Sequence, residues 1–334
     1  MSSGASSSMN DANPAGIVLE IQRMSTEDGP GLRTTVFMKG CPMRCLWCHN
    51  PESISIKPQP QWIGSRCMGC KTCLAACPNG ALSLTDIGIR IDRSVCQGCG
   101  ACAEACPTTA MELMGKSWQA DALARELLKD RAYFEQSGGG VTISGGESTL
   151  QATFVTALLR ELKAAGIHTA IDTCGVVMPQ VLDAILPYTD LVLYDLKEMD
   201  PRRHLEYTGR KLEQVMETLS YIVRFMRETG QPKEMWIRTP LIPQATARIG
   251  NVMQIGSEIA GRCDGVVTRW DLLAFNNLCK DKYLRLGQVW PLQDTPLLTR
   301  AEMETLAETA RSSGVDEHIV HWSGTTRLEE EPVG

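Results

Sequence analysis

The sequence has few aromatic residues, no long apolar run and no strong excess of either charge. Aromatic side chains make up 5% of 334 residues, and runs such as residues 191–193 fall far short of the ~18 apolar residues that span a membrane. No basic segment followed by an apolar stretch opens the chain, so no secretory signal is expected. The net charge of −6 argues against nucleic acid as a partner. These absences predict a cytoplasmic protein that contacts neither membrane nor nucleic acid.

Cysteine is the residue in excess. Of the 14 cysteines, 11 lie between Cys41 and Cys106. In a cytosolic chain thiols stay reduced, so clustered cysteines are metal ligands or redox groups rather than disulfides. The other three, Cys174, Cys263 and Cys279, have no partners at ligand spacing and are expected to be small buried residues.

Eight of the clustered cysteines form two copies of one pattern. The copies are Cys67-x2-Cys70-x2-Cys73-x3-Cys77-Pro78 and Cys96-x2-Cys99-x2-Cys102-x3-Cys106-Pro107. This is the bacterial ferredoxin run, in which three cysteines of each copy bind one [4Fe–4S] cluster and the fourth binds the other cluster. The predicted ligand sets are therefore Cys67, Cys70, Cys73 and Cys106 for one cluster, and Cys96, Cys99, Cys102 and Cys77 for the other. Structural zinc is the alternative, but eight cysteines with two matching prolines favour clusters.

Around this repeat, β-rich runs alternate with amphipathic helices. Strands are expected at residues 34–38, 141–144, 168–173, 191–196, 234–240 and 266–273, and helices at residues 117–133, 151–165, 180–186, 212–227 and 251–259. Ser117 is the expected N-cap of the first helix. Alternation of this kind predicts an α/β fold with a parallel sheet, as a full or partial barrel, whose chemistry lies at the C-terminal ends of the strands.

A shorter cysteine pattern, Cys41-x3-Cys45-x2-Cys48, follows the first predicted strand. A [4Fe–4S] cluster needs four ligands, so three cysteines leave one iron open to bind the amine and carboxylate of a substrate. Zinc or chance spacing is the alternative. The position directly after the first strand of a βα series favours the cluster.

With the three-cysteine loop in this position, the chain resembles the radical S-adenosylmethionine enzymes, whose fold is a partial (β/α)6 barrel. Trp47 fits the aromatic residue that those enzymes place against the adenine, and simple packing of the loop is its alternative role. A closer resemblance is to the glycyl-radical-enzyme activating enzymes, in particular the larger type with a two-cluster insert. It is carried by S-T-E-D-G-P-G-L-R at residues 25–33 and F-M-K-G-C-P-M-R-C-L-W-C-H-N-P-E at residues 37–52.

The resemblance implies roles for residues outside the cysteine patterns. Gly145, Gly146 and Glu147 would hold the methionine amine of S-adenosylmethionine, the glycines through close backbone approach and Glu147 as an acceptor. Asp28 and Arg33 would face the ligand or the partner protein.

Further roles are implied at the ends of later strands. In Asp195-Leu196-Lys197, which resembles the D-x-K element of the family, Lys197 would meet the methionine carboxylate. Asp172 together with Asp195 would hold a monovalent cation, as in some members. Arg238 would face the ligand or the partner, or be a solvated charge. Asn276 stands where many members have the histidine that reaches the ribose, and its amide can still bond a hydroxyl.

The implied function is activation of a partner enzyme. One electron from reduced flavodoxin or ferredoxin cleaves S-adenosylmethionine, and the resulting 5′-deoxyadenosyl radical removes a hydrogen atom from a backbone glycine of a glycyl radical enzyme. The cofactors would be three [4Fe–4S] clusters, S-adenosylmethionine and a monovalent cation, and the protein would be a monomer. Two alternatives are another radical S-adenosylmethionine enzyme that modifies peptides and carries auxiliary clusters, and a plain iron–sulfur electron carrier.

The predicted domain organisation follows from these patterns. Residues 16–65 and 114–325 would form the radical S-adenosylmethionine partial barrel, and residues 66–113 the ferredoxin-like insert. Residues 1–15 would be a disordered tail, and residues 326–334 a second tail. An insert directly after the first loop disfavours the peptide-modifying alternative, and a barrel of this length disfavours the electron carrier.

Overall fold

The computed structural model describes residues 13–328, so most of both predicted tails lies outside the described residues. Its strands are β1 (Ala15–Ser25), β2 (Arg33–Met38), β3 (Gln59–Trp62), β4 (Leu82–Thr85), β5 (Gly88–Ile91), β6 (Met111–Met114), β7 (Lys116–Gln119), β8 (Gly140–Gly145), β9 (His168–Thr173), β10 (Leu191–Asp195), β11 (Glu234–Leu241), β12 (Val267–Ala274) and β13 (Val320–Ser323). Its α-helices are α1 (Thr72–Ala76), α2 (Ala101–Glu104), α3 (Ala120–Leu127), α4 (Arg131–Ser137), α5 (Ala152–Ala164), α6 (Pro179–Ile185), α7 (Pro201–Thr208), α8 (Leu212–Thr229), α9 (Ile249–Arg262), α10 (Lys280–Arg285) and α11 (Arg300–Arg311). Over residues 13–328, no helix is long and apolar enough to cross a membrane.

One sheet of nine strands organises the larger part of the chain, in the order β13-β12-β11-β10-β9-β8-β2-β1-β7. Every neighbouring pair from β2 to β13 is parallel, whereas β1 pairs antiparallel with both β2 and β7. The strands β2, β8, β9, β10, β11 and β12, with the helices between them, form the predicted partial (β/α)6 barrel, and β13 adds one more parallel strand. The predicted α/β fold class is confirmed.

The burial of the strands and helices explains this arrangement. Strand β11 alternates between buried residues such as Met235 and Ile237, which pack on the helices, and half-buried residues such as Arg238, which face the barrel interior. Helix α5 buries the apolar face that its periodicity predicts, from Phe154 to Leu162. Because the strands are parallel, their C-terminal ends meet at one edge, and the candidate site lies there.

The segment after the insert differs from the predicted helix at residues 117–133. Ser117 lies in β7, opposite Ile17 of β1, and does not cap a helix. Helix α3 begins only at Ala120, and a 3-10 turn separates it from α4. At that turn the buried Asp130 accepts a hydrogen bond from Thr34 Oγ1 at 2.8 Å. The prediction was wrong because β1, which the pattern did not reveal, offers an open edge that β7 pairs.

A small two-stranded sheet joins the insert to the barrel. Strands β3 and β6 pair antiparallel, with Gln59 opposite Met114 and Trp62 opposite Met111. Between them lie α1, the β4–β5 hairpin and α2, which carry the eight repeat cysteines or flank them. The chain therefore leaves and re-enters the barrel at neighbouring points.

Candidate active site

The loop after β2 carries Cys41, Cys45 and Cys48 at the C-terminal edge of the sheet. Backbone hydrogen bonds hold it from two sides, from Cys41 N to Ile54 O at 3.1 Å and from Leu46 N to Tyr207 O at 3.0 Å. Tyr207 belongs to α7, so the loop is fixed between the barrel and that helix. The three cysteines therefore lie on one fixed loop.

Burial disfavours the charged form of two of these thiols. It raises the pKa of Cys45 to about 12 and also raises the pKa of Cys48. The pKa of Cys41 is lowered instead, because the side chain of Cys174, at the end of β9, hydrogen-bonds to it. Sulfur ligands in such a buried position need a positive partner to become thiolates, and a metal cluster supplies one. The donor set therefore fits an iron–sulfur cluster.

Gly145 and Gly146 bring the end of β8 directly against this loop. Gly146 N donates to Met38 O at 3.0 Å, and Glu147 N donates to Gly40 O at 2.7 Å. A Cβ at Gly145, where φ is +109°, would lie 2.2 Å from Met38 N. A Cβ at Gly146 would lie 2.1 Å from Gly40 O. The glycines are required because the two backbones touch, and the turn and the cysteine loop form one unit.

The carboxylate of Glu147 is occupied within the protein. It is fully buried, and its oxygens accept hydrogen bonds from Thr149 N (3.1 Å), Thr149 Oγ1 (2.7 Å), Thr173 Oγ1 (2.9 Å) and Cys174 N (2.8 Å). Four donors leave little capacity for the methionine ammonium that Glu147 was predicted to accept. In this geometry Glu147 ties the glycine turn to the end of β9.

Lys197 and Asp195 lie at the end of β10 and form an ion pair. Burial alone would lower the pKa of Lys197, but Asp195 and the nearby thiols of Cys45 and Cys174 raise it on balance. Lys197 is therefore a buried, charged ammonium close to the cysteine loop. A carboxylate of a bound ligand is a suitable partner for it.

Arg238 lies in the barrel interior between carboxylates. Its Nη1 is 3.2 Å from Asp172 Oδ2 and 3.9 Å from Asp28 Oδ1. These charges raise the pKa of Arg238 against the effect of burial, whereas burial raises the pKa of Asp172 to about 6. Only 16% of the side chain is exposed, so Arg238 is not a solvated charge.

The predicted cation ligands therefore have other partners. Asp172 pairs with Arg238, and Asp195 pairs with Lys197. The strand register explains the position of Arg238 among these carboxylates, since Arg238 of β11 lies directly beside Asp195 of β10. In residues 13–328, no three His, Cys, Asp or Glu side chains stand close enough to hold a single metal ion. Arg238 therefore supplies a positive charge beside Asp172 and Asp195, and the monovalent cation stays a prediction.

Arg33 does not face a partner, and that prediction was wrong. Its side chain is fully buried at the start of β2, at the opposite end of the strand from the cysteine loop. Its Nε donates to Thr142 Oγ1 at 2.6 Å and its Nη2 donates to Val141 O at 2.7 Å. Asp28, in contrast, reaches the interior beside Arg238. Arg33 supports the barrel rather than binding a ligand.

Residues 275–290, named here the cover segment, lie against the other side of the cysteine loop. Trp47 packs into its aromatic cluster, with Phe275, Tyr283 and Trp290. Asn276 lies in this segment, where its Oδ1 accepts a hydrogen bond from Leu278 N at 3.2 Å. The predicted Asn276 contact with a ribose would therefore use the amide nitrogen rather than this oxygen.

The insert contains two cavities lined by cysteines. The first, of about 350 Å³, is lined by four cysteines together with apolar residues, and those cysteines are Cys67, Cys70, Cys73 and Cys106. The second is lined by Cys77, Cys96, Cys99 and Cys102. Each cavity therefore gathers one of the predicted crossed sets. The first cavity has four thiols and enough space for a [4Fe–4S] cluster, whereas the second has four thiols around a free volume of only about 10 Å³.

Comparison with known proteins identifies the family. Residues 95–251 match the Radical SAM superfamily, and residues 66–110 match the 4Fe-4S dicluster domain. The (2S)-3-sulfopropanediol dehydratase activating enzyme of Klebsiella oxytoca is 35% identical over 311 residues, which cover 91% of this chain and 96% of that protein. The chain belongs to the glycyl-radical-enzyme activating enzymes. As an activating enzyme of this family it uses S-adenosylmethionine and a [4Fe–4S] cluster, and it forms a glycyl radical on a partner enzyme.

Other relatives of this activating enzyme serve different partners. The trans-4-hydroxy-L-proline dehydratase activating enzyme of Clostridioides difficile is 36% identical, over 88% of this chain and 95% of that protein. The benzylsuccinate synthase activating enzyme of Thauera aromatica is also 36% identical, over 83% of each chain. Among solved structures, a domain of pyruvate-formate lyase-activating enzyme from Bacteroides vulgatus superposes with a TM-score of 0.44 at 22% identity, over 56% of this chain and all of that one.

The structure of this activating enzyme also shows site residues that the sequence patterns did not single out. Cys174 contacts Cys41, and Tyr283 Oη donates to Cys48 O at 2.9 Å. Trp290 Nε1 donates to Leu46 O at 2.8 Å. These contacts join segments more than 120 residues apart, so the spacing of residues in the sequence does not reveal them. An unusual concentration of tryptophan and tyrosine at residues 270–290 is the one sequence signal that could have drawn attention to the cover segment.

Proposed function

We propose that Cys41, Cys45 and Cys48 bind the cluster that cleaves S-adenosylmethionine. The observation that carries this proposal is the direct packing of Gly145 and Gly146 on the backbone that leads into Cys41. This packing puts the glycine turn beside the loop that carries the three cysteines. When bound, the cluster supplies the electron that splits S-adenosylmethionine into methionine and a 5′-deoxyadenosyl radical.

The residues around the cluster would bind S-adenosylmethionine by its polar groups. Lys197, buried and charged, pairs with the methionine carboxylate. The ammonium meets backbone carbonyls of the glycine turn, because Glu147 is already fully hydrogen-bonded. Trp47 borders the adenine and Asn276 borders the ribose. In this assignment Glu147 is a positioning residue for the turn.

The partner glycine would approach through the barrel interior. Asp28 and Arg238 line that interior and could hydrogen-bond the peptide groups on either side of a glycine. Asp172 orients Arg238 at 3.2 Å. A glycyl radical enzyme is the protein substrate, reduced flavodoxin or ferredoxin is the electron donor, and the activating enzyme works as a monomer. Oxygen-sensitive clusters and free thiols require a reducing compartment, which favours the cytoplasm.

The direct test of this function uses the protein with a strong reductant. Anaerobic, reduced protein given S-adenosylmethionine is expected to release 5′-deoxyadenosine and methionine in equal amounts. Addition of a cognate glycyl radical enzyme is expected to produce a glycyl radical signal in the electron paramagnetic resonance spectrum. Release of methionine without 5′-deoxyadenosine would contradict the proposal.

The proposal of three [4Fe–4S] clusters predicts the iron content of the protein. Anaerobically reconstituted protein is expected to hold about twelve iron and about twelve sulfide per chain, four of each for every cubane. Cys263→Ala is the matched control, since Cys263 is a buried residue at the C-terminal cap of α9 and lines neither cavity, and it is expected to retain the same content. An assay of about four irons per chain would contradict the two-cluster insert.

A methyl group at Gly146 is expected to weaken S-adenosylmethionine binding. In Gly146→Ala the new Cβ would lie 2.1 Å from Gly40 O, so the turn and the cysteine loop must separate. We expect a loss of about 1–3 kcal/mol of stability and at least tenfold weaker binding, measured by thermal unfolding and by titration.

Gly250→Ala is the control for this substitution. Gly250 lies in α9 with no atom within 4 Å of its added Cβ. Alanine there is expected to leave binding unchanged and to raise stability slightly, because it favours the helix. Unchanged binding in Gly146→Ala would mean that the turn is not part of the site.

A further inference from the structure

Arg93 of the insert holds the cover segment. Its Nε donates to Leu286 O at 3.0 Å and its Nη2 donates to Arg285 O at 3.0 Å, at the end of α10. Its Nη1 donates to Pro60 O at 3.2 Å, where the chain enters the insert. One half-buried guanidinium thus links three backbone carbonyls from two parts of the protein.

The cover segment in turn holds the cysteine loop. Tyr283 and Trp290 stack with ring centroids 5.6 Å apart. Their polar atoms donate to the carbonyls of Cys48 (2.9 Å) and Leu46 (2.8 Å). Lys282 adds a hydrogen bond to Asn50 Oδ1 at 2.8 Å. A continuous chain of contacts therefore runs from Arg93 to the backbone of the Cys41–Cys48 loop.

The two cysteine sets of the insert differ in their relation to this chain of contacts. Cys96 N donates to Asp92 O at 3.0 Å, directly beside Arg93, and Cys96 belongs to the set with Cys77, Cys99 and Cys102. The backbone at Gly98 packs closely on Pro58, since a Cβ there would lie 2.1 Å from Pro58 O. In the other set two cysteines, Cys67 and Cys70, are exposed to solvent, whereas in this set only Cys99 is exposed.

We propose that Arg93 is a positioning residue that fixes the cluster of Cys77, Cys96, Cys99 and Cys102 against the cover segment. In this proposal, that cluster is the immediate electron donor to the cluster at the Cys41–Cys48 loop. The cluster held by the set with Cys67 and Cys70, which has more exposed cysteines, receives the electron from the donor protein. The inference rests on the proposed function. The donor loses one electron, the cluster at Cys41 gains it, no proton moves, and both insert clusters return to their starting state.

The test compares two routes of reduction in Arg93→Ala. With reduced flavodoxin, freeze-quenched samples followed by electron paramagnetic resonance should show the insert clusters reduced at the wild-type rate. The signal that responds to S-adenosylmethionine should appear about tenfold or more slowly, equivalent to about 1.4 kcal/mol. With a small chemical reductant that reaches the Cys41 loop directly, that signal should appear at a wild-type rate. Hydrogen exchange of amides in residues 280–290 should be faster in the variant.

Two further variants keep the test decisive. Arg90→Ala removes an exposed arginine of β5, three residues before Arg93, and should behave as the wild type. Arg93→Lys keeps the charge but donates to fewer carbonyls, and it should fall between the wild type and Arg93→Ala, even if the latter folds poorly. Equal slowing with both reductants, or no slowing with either, overturns this inference alone. Absence of 5′-deoxyadenosine from wild-type protein with the chemical reductant overturns the proposed function and this inference with it.

Discussion

Replacing Cys41, Cys45 and Cys48 together by alanine is expected to abolish 5′-deoxyadenosine formation while about eight irons per chain remain. The loop is separate from both cysteine-lined cavities of the insert, so the insert clusters should assemble normally. The loop itself is held by backbone hydrogen bonds, which alanine retains. Iron assay and product analysis with a strong chemical reductant provide the two measurements.

The control for the triple variant is again Cys263→Ala, which should keep both full iron content and product formation. A triple variant that retained cleavage would place the catalytic cluster in the insert. That outcome is chemically disfavoured, because each insert cavity supplies four cysteines and would leave no iron open for a substrate.

Removal of the insert is expected to abolish activity with a protein donor and to spare activity with a chemical reductant. Because Trp62 and Met111 are directly opposite in the β3–β6 pair, residues 63–110 can be replaced by an Asn-Gly turn that closes a hairpin. Trp62→Thr and Met111→Lys replace apolar side chains that lose their packing partners. The rate of 5′-deoxyadenosine formation with reduced flavodoxin should fall at least about a hundredfold, equivalent to about 2.7 kcal/mol.

The full-length chain measured in parallel with both reductants is the reference for this deletion. Far-ultraviolet circular dichroism and about four irons per chain would establish that the barrel and its own cluster persist. An equal fall with both reductants would contradict the relay and indicate that the insert supports the barrel or docks the partner. Full activity with flavodoxin would show that electrons enter the Cys41 loop directly.

Much of the barrel was predictable, because its signals are local. Strand β9 occupies the predicted residues 168–173, and α5 and α8 match their predicted spans to within two residues at each end. Strands β1 and β7 were missed because they form the antiparallel end of the sheet, where alternation is weak and β7 depends on β1 for its pairing. Helix α11 was missed although Thr299 and Glu302 form a capping box that marks its start in the sequence.

In the site, sequence spacing predicted which cysteines belong together, but it did not predict the partners of the charged residues. Thiol ligands of one cluster lie close in sequence, so their grouping follows from the pattern, and the ligand assignments stay predictions for the iron assays to test. The partners of Glu147, Asp172 and Arg33 come from other strands. Their roles therefore depended on register, which decides which side chains share the barrel interior and which are buried behind it.

The sequence by itself determined the chemistry of this protein, since two cysteine patterns and the segments around them specify the cofactor type, the α/β barrel and the family. The tertiary structure decided how these parts are connected. It placed Arg238 beside Asp172 and Asp195, gave the carboxylate of Glu147 four hydrogen-bond donors, and joined Arg93 to the cover segment over the cysteine loop. The physical reason is range: ligand spacing is a property of a few consecutive residues, whereas buried charges and hydrogen-bond donors find their partners only when distant strands come into register.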